Sequence, residues 1–170
     1  MKEIYFVSGI HGAGKGTLCN QLESELGMPI YSCSDLIKQN SEYVEDSKVV
    51  TTAERNQEAL IQGLNKIKED KFLLDGHFCL MGKEGHIIEL DDMVFDTISP
   101  VAVINVTCDP SVVYDRLLKR DLEAISSDKL NELQVKETAR AEEYCKARSI
   151  GLYEYESTAS IEQLVGILKF

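Results

Sequence analysis

The 170-residue chain has no surplus of positive charge, no apolar run of membrane-spanning length, no close cysteine pair and no internal repeat or low-complexity linker. Each absence excludes a class of function. Eighteen basic residues against 29 acidic ones give a net charge of −11, which argues against bulk binding to nucleic acid or to anionic membranes. A local basic cleft is still allowed, but the few arginines would have to be concentrated in it. A spanning helix needs about 20 apolar residues, and no stretch approaches that. The five cysteines, Cys19, Cys33, Cys79, Cys108 and Cys145, are odd in number and lack metal-ligand spacing. They are expected to be reduced, mostly buried thiols of a cytoplasmic protein. Met1-Lys2-Glu3 runs directly into an apolar strand, so no signal peptide is expected. The length suits one domain with a proper core.

Against these absences stands one dense stretch, Gly9-Ile10-His11-Gly12-Ala13-Gly14-Lys15-Gly16-Thr17. It follows the apolar run Ile4 to Val7 and precedes a helical segment, Leu18 to Leu26. Strand, glycine-rich loop and helix form the setting of a phosphate-binding loop. Gly9, Gly12 and Gly14 permit backbone conformations that turn successive amides inward as an anion nest. The helix N-terminus adds its dipole, and Lys15 adds a mobile ammonium for the outer phosphates. Gly16 occupies the slot after the lysine where Ser or Thr usually stands. Thr17 is therefore expected to hydrogen-bond an inner phosphate, and is the weaker candidate for direct contact with Mg²⁺.

Along the chain, strands alternate with helices, which predicts a mostly parallel five-stranded sheet in a three-layer α/β fold. Strands are expected at Lys2–Ser8, Met28–Ser32, Lys71–Asp75, Val101–Val106 and Ile150–Tyr155. Helices are expected at Lys15–Glu25, from Leu36, over Ala53–Glu69, before Pro100, from Asp109-Pro110, over Asp128–Ala147 and from Ser160. Ser34 or Asp35 is the expected cap of the second helix and Thr51 or Thr52 of the third. Leu60, Ile61, Leu64 and Ile67 share one helical face. Glu42 to Lys48 reads as a loop, and Phe78 to Leu90 as a small hairpin. Val112, Val113, Leu117 and Leu118 are the expected core face of the fifth helix. In the next helix, Leu130, Leu133, Ala139 and Ala141 fall partly in register.

Two further features carry chemistry. Asp75 ends an apolar strand and precedes Gly76. In a parallel sheet the carboxyl ends of strands face the ligand crevice, where Asp75 can hold Mg²⁺ through water; a plain Asp-Gly turn is the simpler alternative. Arg116 and Arg120 stand i, i+4 on one helical face and can clamp phosphates. Surface pairing with Asp115, Asp121 or Glu123 is the simpler alternative there.

The chain resembles a known family over most of its length. Gly9 to Thr17 is similar to the GxxGxGKGT loop of adenylate kinases and related nucleoside monophosphate kinases. Ser32 to Lys38 resembles their acceptor segment, with Ser34 and Lys38 in place of a glycine and an arginine. Glu54-Arg55-Asn56-Gln57, Asp75-Gly76-His77 and Glu137-Thr138-Ala139-Arg140 look more like the archaeal-type adenylate kinases and the related small ATPase/adenylate kinases. The arginine that ordinary adenylate kinases carry after Asp-Gly is missing, since His77-Phe78-Cys79 follows. No large lid stands between Arg120 and Asp128.

The resemblance implies one P-loop kinase domain over residues 1–170, with acceptor-side helices at about 34–69 and a short lid region at about 116–140. ATP·Mg²⁺ would lie on Gly9, His11, Gly12, Ala13, Gly14, Lys15, Gly16 and Thr17. A nucleotide or other small acceptor would lie near Ser34, Asp35, Lys38, Arg55, His77 and Arg140. Lys15, Arg116, Arg120 and Asp75 would act on the transferring phosphoryl group, through alignment and charge neutralisation. Two alternatives are an ATPase acting as an assembly or regulatory factor, and a kinase of another small metabolite with Asp35 as base.

Overall fold

The computed structural model describes residues 1–41, 52–121 and 125–169. The expected loop at Glu42–Lys48, Thr51 as a cap, Glu123 as a partner and part of the short lid lie outside these residues. Among the described residues the chain runs β1 (Glu3–Ser8), α1 (Lys15–Leu26), β2 (Ile30–Ser32), α2 (Cys33–Asn40), α3 (Thr52–Lys66), β3 (Lys71–Asp75), β4 (Cys79–Met81), β5 (Ile87–Glu89), α4 (Asp92–Ile98), β6 (Ala102–Thr107), α5 (Pro110–Asp121), α6 (Ser127–Arg148), β7 (Gly151–Glu156) and α7 (Glu162–Leu168).

The main sheet has five strands in the order β2-β3-β1-β6-β7, and every pairing in it is parallel. β4 and β5 form the expected antiparallel hairpin outside it. Helices cover both faces of the sheet. α1 packs on α7 and on β1–β3, whereas α6 packs on β6, β7 and β4. The central β1 separates strands laid down to its two sides, and such a reversal in strand order opens a crevice at the carboxyl ends. Register places Asp75 beside Val7 and Ser32, and Asn105 beside Ser8. The strand that feeds the loop therefore delivers it next to Asp75.

Local chemistry sets the element ends. α1 stops at Gly27, whose φ of 66° suits a left-handed cap and whose N–H donates to the Glu23 carbonyl. α5 begins on Pro110, where the missing N–H costs nothing, and Asp109 accepts the Ser111 N–H at 2.8 Å. α6 is capped by the Ser126 hydroxyl, which accepts the Lys129 N–H. α2 differs from expectation: Ser32, not Ser34 or Asp35, is its cap, accepting the Asp35 N–H at 3.4 Å.

Helix faces also differ in detail. α3 ends at Lys66, so Ile67 packs into the core from the turn beyond it. Ile61 is exposed while Ala59, Leu60, Gly63 and Leu64 face inward. In α5 only Val113 and Leu117 are buried, and Val112 and Leu118 face solvent. Ala139 is exposed on α6, which buries Leu130, Leu133, Glu137, Ala141, Tyr144 and Cys145. An aromatic cluster fills the space beside β1. Phe6 meets Phe78 and Phe95 edge-on at 5.5 and 5.6 Å, and Phe78 lies 4.3 Å from Phe95. No described helix is long and apolar enough to cross a membrane.

Candidate active site

The loop after β1 curls around Lys15. The Lys15 Nζ donates to the carbonyls of Gly9 at 2.8 Å and Ile10 at 3.2 Å, and lies 4.0 Å from Asp75 Oδ1. Lys15 is only 7% exposed. Burial pulls its pKa below the usual lysine value, while Asp75 and Glu137 work to keep it charged. Burial likewise raises the Asp75 carboxyl, with Lys15 opposing and Asp35 adding to the rise. Each member of this pair thus helps hold the other ionised.

Two glycines are needed for close approach. A side chain at Gly9 would place its Cβ 2.6 Å from the Val106 carbonyl oxygen. At Gly14, φ is +103° and a Cβ would sit 2.8 Å from Ser157 Oγ. Gly16 is different, because a Cβ there meets nothing within 4 Å. The slot that usually carries a hydroxyl is therefore vacant for want of a side chain and not for want of room.

Above the loop lies a cleft of about 680 Å³. His11, Gly12, Gly14, Lys15, Gly16 and Thr17 line one wall, and Arg116 and Arg120 the opposite one. Arg116 Nη1 donates to the Gly12 carbonyl at 3.2 Å and reaches Ser157 Oγ at 3.4 Å. Arg120 contacts His11 Nε2 and lies 3.6 Å from Asp121. The i, i+4 spacing thus brings both guanidiniums to the loop, and neither pairs with Asp115 among the described ion pairs. His11 has a lowered pKa, from burial first and then from Arg120 and Lys15.

A second cavity of about 310 Å³ opens on the other side of Lys15 and Asp75. Ser32, Cys33, Ser34 and His77 line its polar end, and Phe6, Ile37, Leu60, Leu90, Val94 and Phe95 line the remainder. The two cavities share His11, Lys15 and Asp75. Burial lowers the His77 pKa to about 4, with Lys15 adding to the effect, so its imidazole is neutral at pH 7.

Four expected acceptor residues stand apart from this cavity. Arg140 is not free to meet a ligand. Its guanidinium binds Asp92 at 2.6 Å, Glu143 at 2.9 Å and the Leu90 carbonyl at 3.0 Å, which makes it a strut between α6 and α4. Arg55 lines a separate small cavity with Ser41, Thr52 and Asn56. Lys38 and Asp35 are exposed on α2 and line neither shared cavity.

Sequence reasoning missed two parts of the site. Ser157, Thr158 and Ala159 follow β7 and complete the cleft over the loop. Their place directly after the last strand was the available signal, since carboxyl ends of parallel strands face the crevice. Glu137 was noticed only through resemblance. It is 1% exposed, and its carboxylate accepts the N–H groups of Gly9 at 3.2 Å, Phe78 at 2.9 Å and Cys79 at 2.6 Å. Burial raises its pKa despite those bonds. Beside it, Ser8 donates to Asn105 Oδ1 at 2.9 Å, and Asn105 Nδ2 donates to Thr138 at 2.9 Å.

A parallel five-stranded sheet, a lysine-bearing loop at its centre and two cavities meeting there define a P-loop kinase-like α/β protein. The chain belongs to the AAA domain family, whose model matches residues 8–134. Among solved structures it is similar to "a putative kinase" from Chloroflexus aurantiacus J-10-fl, with 14% identity, a TM-score of 0.61 and coverage of 99% of this chain and 97% of that one. It is also similar to an uncharacterized protein from Eubacterium ventriosum ATCC 27560, with 13% identity, a TM-score of 0.50 and coverage of 98% and 96%. At these identities the likeness concerns the fold. No curated protein matches the chain.

Proposed function

We propose that the protein is an ATP-dependent phosphotransferase, laid out like an adenylate kinase over one domain of residues 1–170. The observation that carries this reading is the meeting of the two cavities at His11, Lys15 and Asp75. ATP lies in the larger cleft, its phosphates on the loop amides of residues 9–17. The acceptor lies in the smaller cavity and attacks the γ-phosphorus in line. Lys15, Arg116 and Arg120 neutralise charge on the transferring oxygens, and alignment across the shared wall supplies the remainder.

The donor set fits Mg²⁺ carried by the nucleotide. No group of three or more His, Cys, Asp or Glu suited to a metal exists among the described residues. Asp75 and Thr17 both line the cleft and would meet the ion, Asp75 through water. Held there, the ion would supply charge neutralisation to the phosphates. A nucleoside monophosphate is the acceptor suggested by the likeness of Gly9–Thr17 and Ser32–Lys38 to the monophosphate kinases, and Ser34 lines the smaller cavity. The five cysteines are free thiols. Burial raises Cys19 and Cys33 to about 12 and Cys79 and Cys145 to about 11, which keeps these thiols protonated and poorly nucleophilic at pH 7.

The test is ADP formation from ATP, with and without a panel of acceptors, alongside detection of the phosphorylated product. Transfer to at least one acceptor is expected. ADP release that no acceptor stimulates, with no phosphorylated product, would replace this reading with that of an ATPase.

A further inference from the structure

We infer that the smaller cavity takes an uncharged, ring-sized alcohol as acceptor, and not a nucleoside monophosphate. This deepens the phosphotransferase reading and rests on it. The first argument is charge. A monophosphate is a dianion, and burying it requires paired cations. Lys15 is the sole Lys or Arg among the described residues that line this cavity, and it already serves the other cleft. Arg116 and Arg120 face that other cleft. Arg140 and Arg148 are paired with Asp92 and Asp96, and Arg55 lines a different cavity. The stretches outside the described residues hold Lys48 but no arginine. Asp75 stands at the cavity's polar end, where its carboxylate would repel a second anion.

The second argument is shape. About 310 Å³ is the low end of the roughly 300–1,000 Å³ range of ligand pockets. The body of the cavity is apolar, with Phe6 and Phe95 in its wall. Gly76 lets the end of β3 pack closely on this wall, since a Cβ there would stand 2.7 Å from the Phe6 ring and 3.0 Å from Cys33 Sγ. The polar lining is confined to Ser32, Cys33, Ser34, His11, His77 and the Lys15–Asp75 pair. A molecule with one hydroxyl at one end and a ring at the other matches this polarity.

In the reaction, the hydroxyl oxygen forms a bond to the γ-phosphorus of ATP. The bond from that phosphorus to the β–γ bridging oxygen breaks, and its electron pair leaves with ADP. The hydroxyl proton is released to solvent as the new bond forms.

The experiment compares matched pairs that differ only in phosphate: benzyl alcohol against benzyl phosphate, and adenosine against AMP. Affinity is measured in the presence of a non-hydrolysable ATP analogue, and transfer is measured with ATP. In at least one pair the uncharged member is expected to bind about tenfold or more tightly than its phosphate ester and to be phosphorylated. Ser34→Arg, which sets a cation at the exposed mouth, should narrow that gap. Equal or tighter binding of the phosphate members, or no binding by any of the four compounds, would overturn the inference. So would a gap that Ser34→Arg leaves unchanged. Transfer to AMP that depends on Lys15 would overturn it while leaving the phosphotransferase standing. Loss of all Lys15-dependent turnover would remove both.

Discussion

On one side of Lys15 and Asp75 the wall is backbone amide, lysine and guanidinium; on the other it is mostly carbon. The first wall is built from a contiguous stretch, residues 9–17, and faced by two arginines from a single helix. The second is assembled from residues scattered over β1, α2, α3, β3, β4 and α4. A triphosphate presents the same chemistry to every protein that binds it, so a short local motif can recognise it. An acceptor is particular, and its pocket is made from tertiary contacts that no short motif encodes. On the proposed reading, the donor side is therefore generic chemistry in a local loop, and the acceptor side is bespoke packing.

The largest expected effect strikes the residue that both walls share. Lys15→Ala should lower turnover by about a thousandfold or more, because one preorganised charge facing the transferring group is worth at least that order. Isothermal titration should show ATP binding lost, with circular dichroism little changed. Unchanged turnover would mean that the comparison has been drawn around the wrong residue.

The arginines sharpen the contrast next. Arg116→Ala and Arg120→Ala should each cut kcat by about a hundredfold, more than they weaken ATP binding. Arg140→Ala should leave kcat unchanged and cost about 1–3 kcal/mol of stability, since it removes a largely buried partner from Asp92. Steady-state kinetics and denaturant unfolding on the three variants would separate the roles.

Within the loop, Gly14 and Gly16 should behave as opposites. Gly14→Ala forces a left-handed alanine at φ +103° and crowds Ser157, for a loss of about 1–2 kcal/mol or more and weaker ATP binding. Gly16→Ala has room and should gain up to about 1 kcal/mol from better helix propensity. Thermal denaturation of both variants reads this directly.

The remaining expected effect is a pH dependence on the other side of Lys15 and Asp75. The His77 pKa falls from 6.5 to about 4 on folding, so the unfolded chain binds the proton more tightly in that interval. The contribution of His77 is complete above pH 6.5 and is lost as pH falls towards 4, by up to about 3 kcal/mol. His77→Gln should flatten this part of the stability profile, measured by denaturant unfolding at pH 7 and pH 4.5. Parallel profiles for the two proteins would place His77 in solvent.

Much of the donor side was legible in the sequence because its signals are local. Gly9 to Thr17 needs only its flanking strand and helix, Asp75 only the end of an apolar run, and Arg116 and Arg120 only their spacing. Pro110 likewise marked an element start through chemistry that acts within a turn. What failed depended on distant partners. Arg140 reads as a lid residue until Asp92, 48 residues away, is seen holding it. Val112 and Leu118 share a stripe with Val113 and Leu117, and periodicity alone does not fix how far the helix is rotated. Ser157 to Ala159 is a polar tripeptide without a motif. Glu137 in mid-helix reads as a solvated residue, because nothing near it in sequence reveals the three amides it accepts.

Glu137 also has a mechanical consequence. One carboxylate is fastened to the entrance of the loop at Gly9 and to Phe78 and Cys79, just past His77. It is carried by α6, the helix that follows the segment after Arg120. A displacement of α6 therefore reaches the phosphate seat and the acceptor wall together. The helix works as a shared tie rod, joining the loop entrance to the wall beyond His77 through one carboxylate.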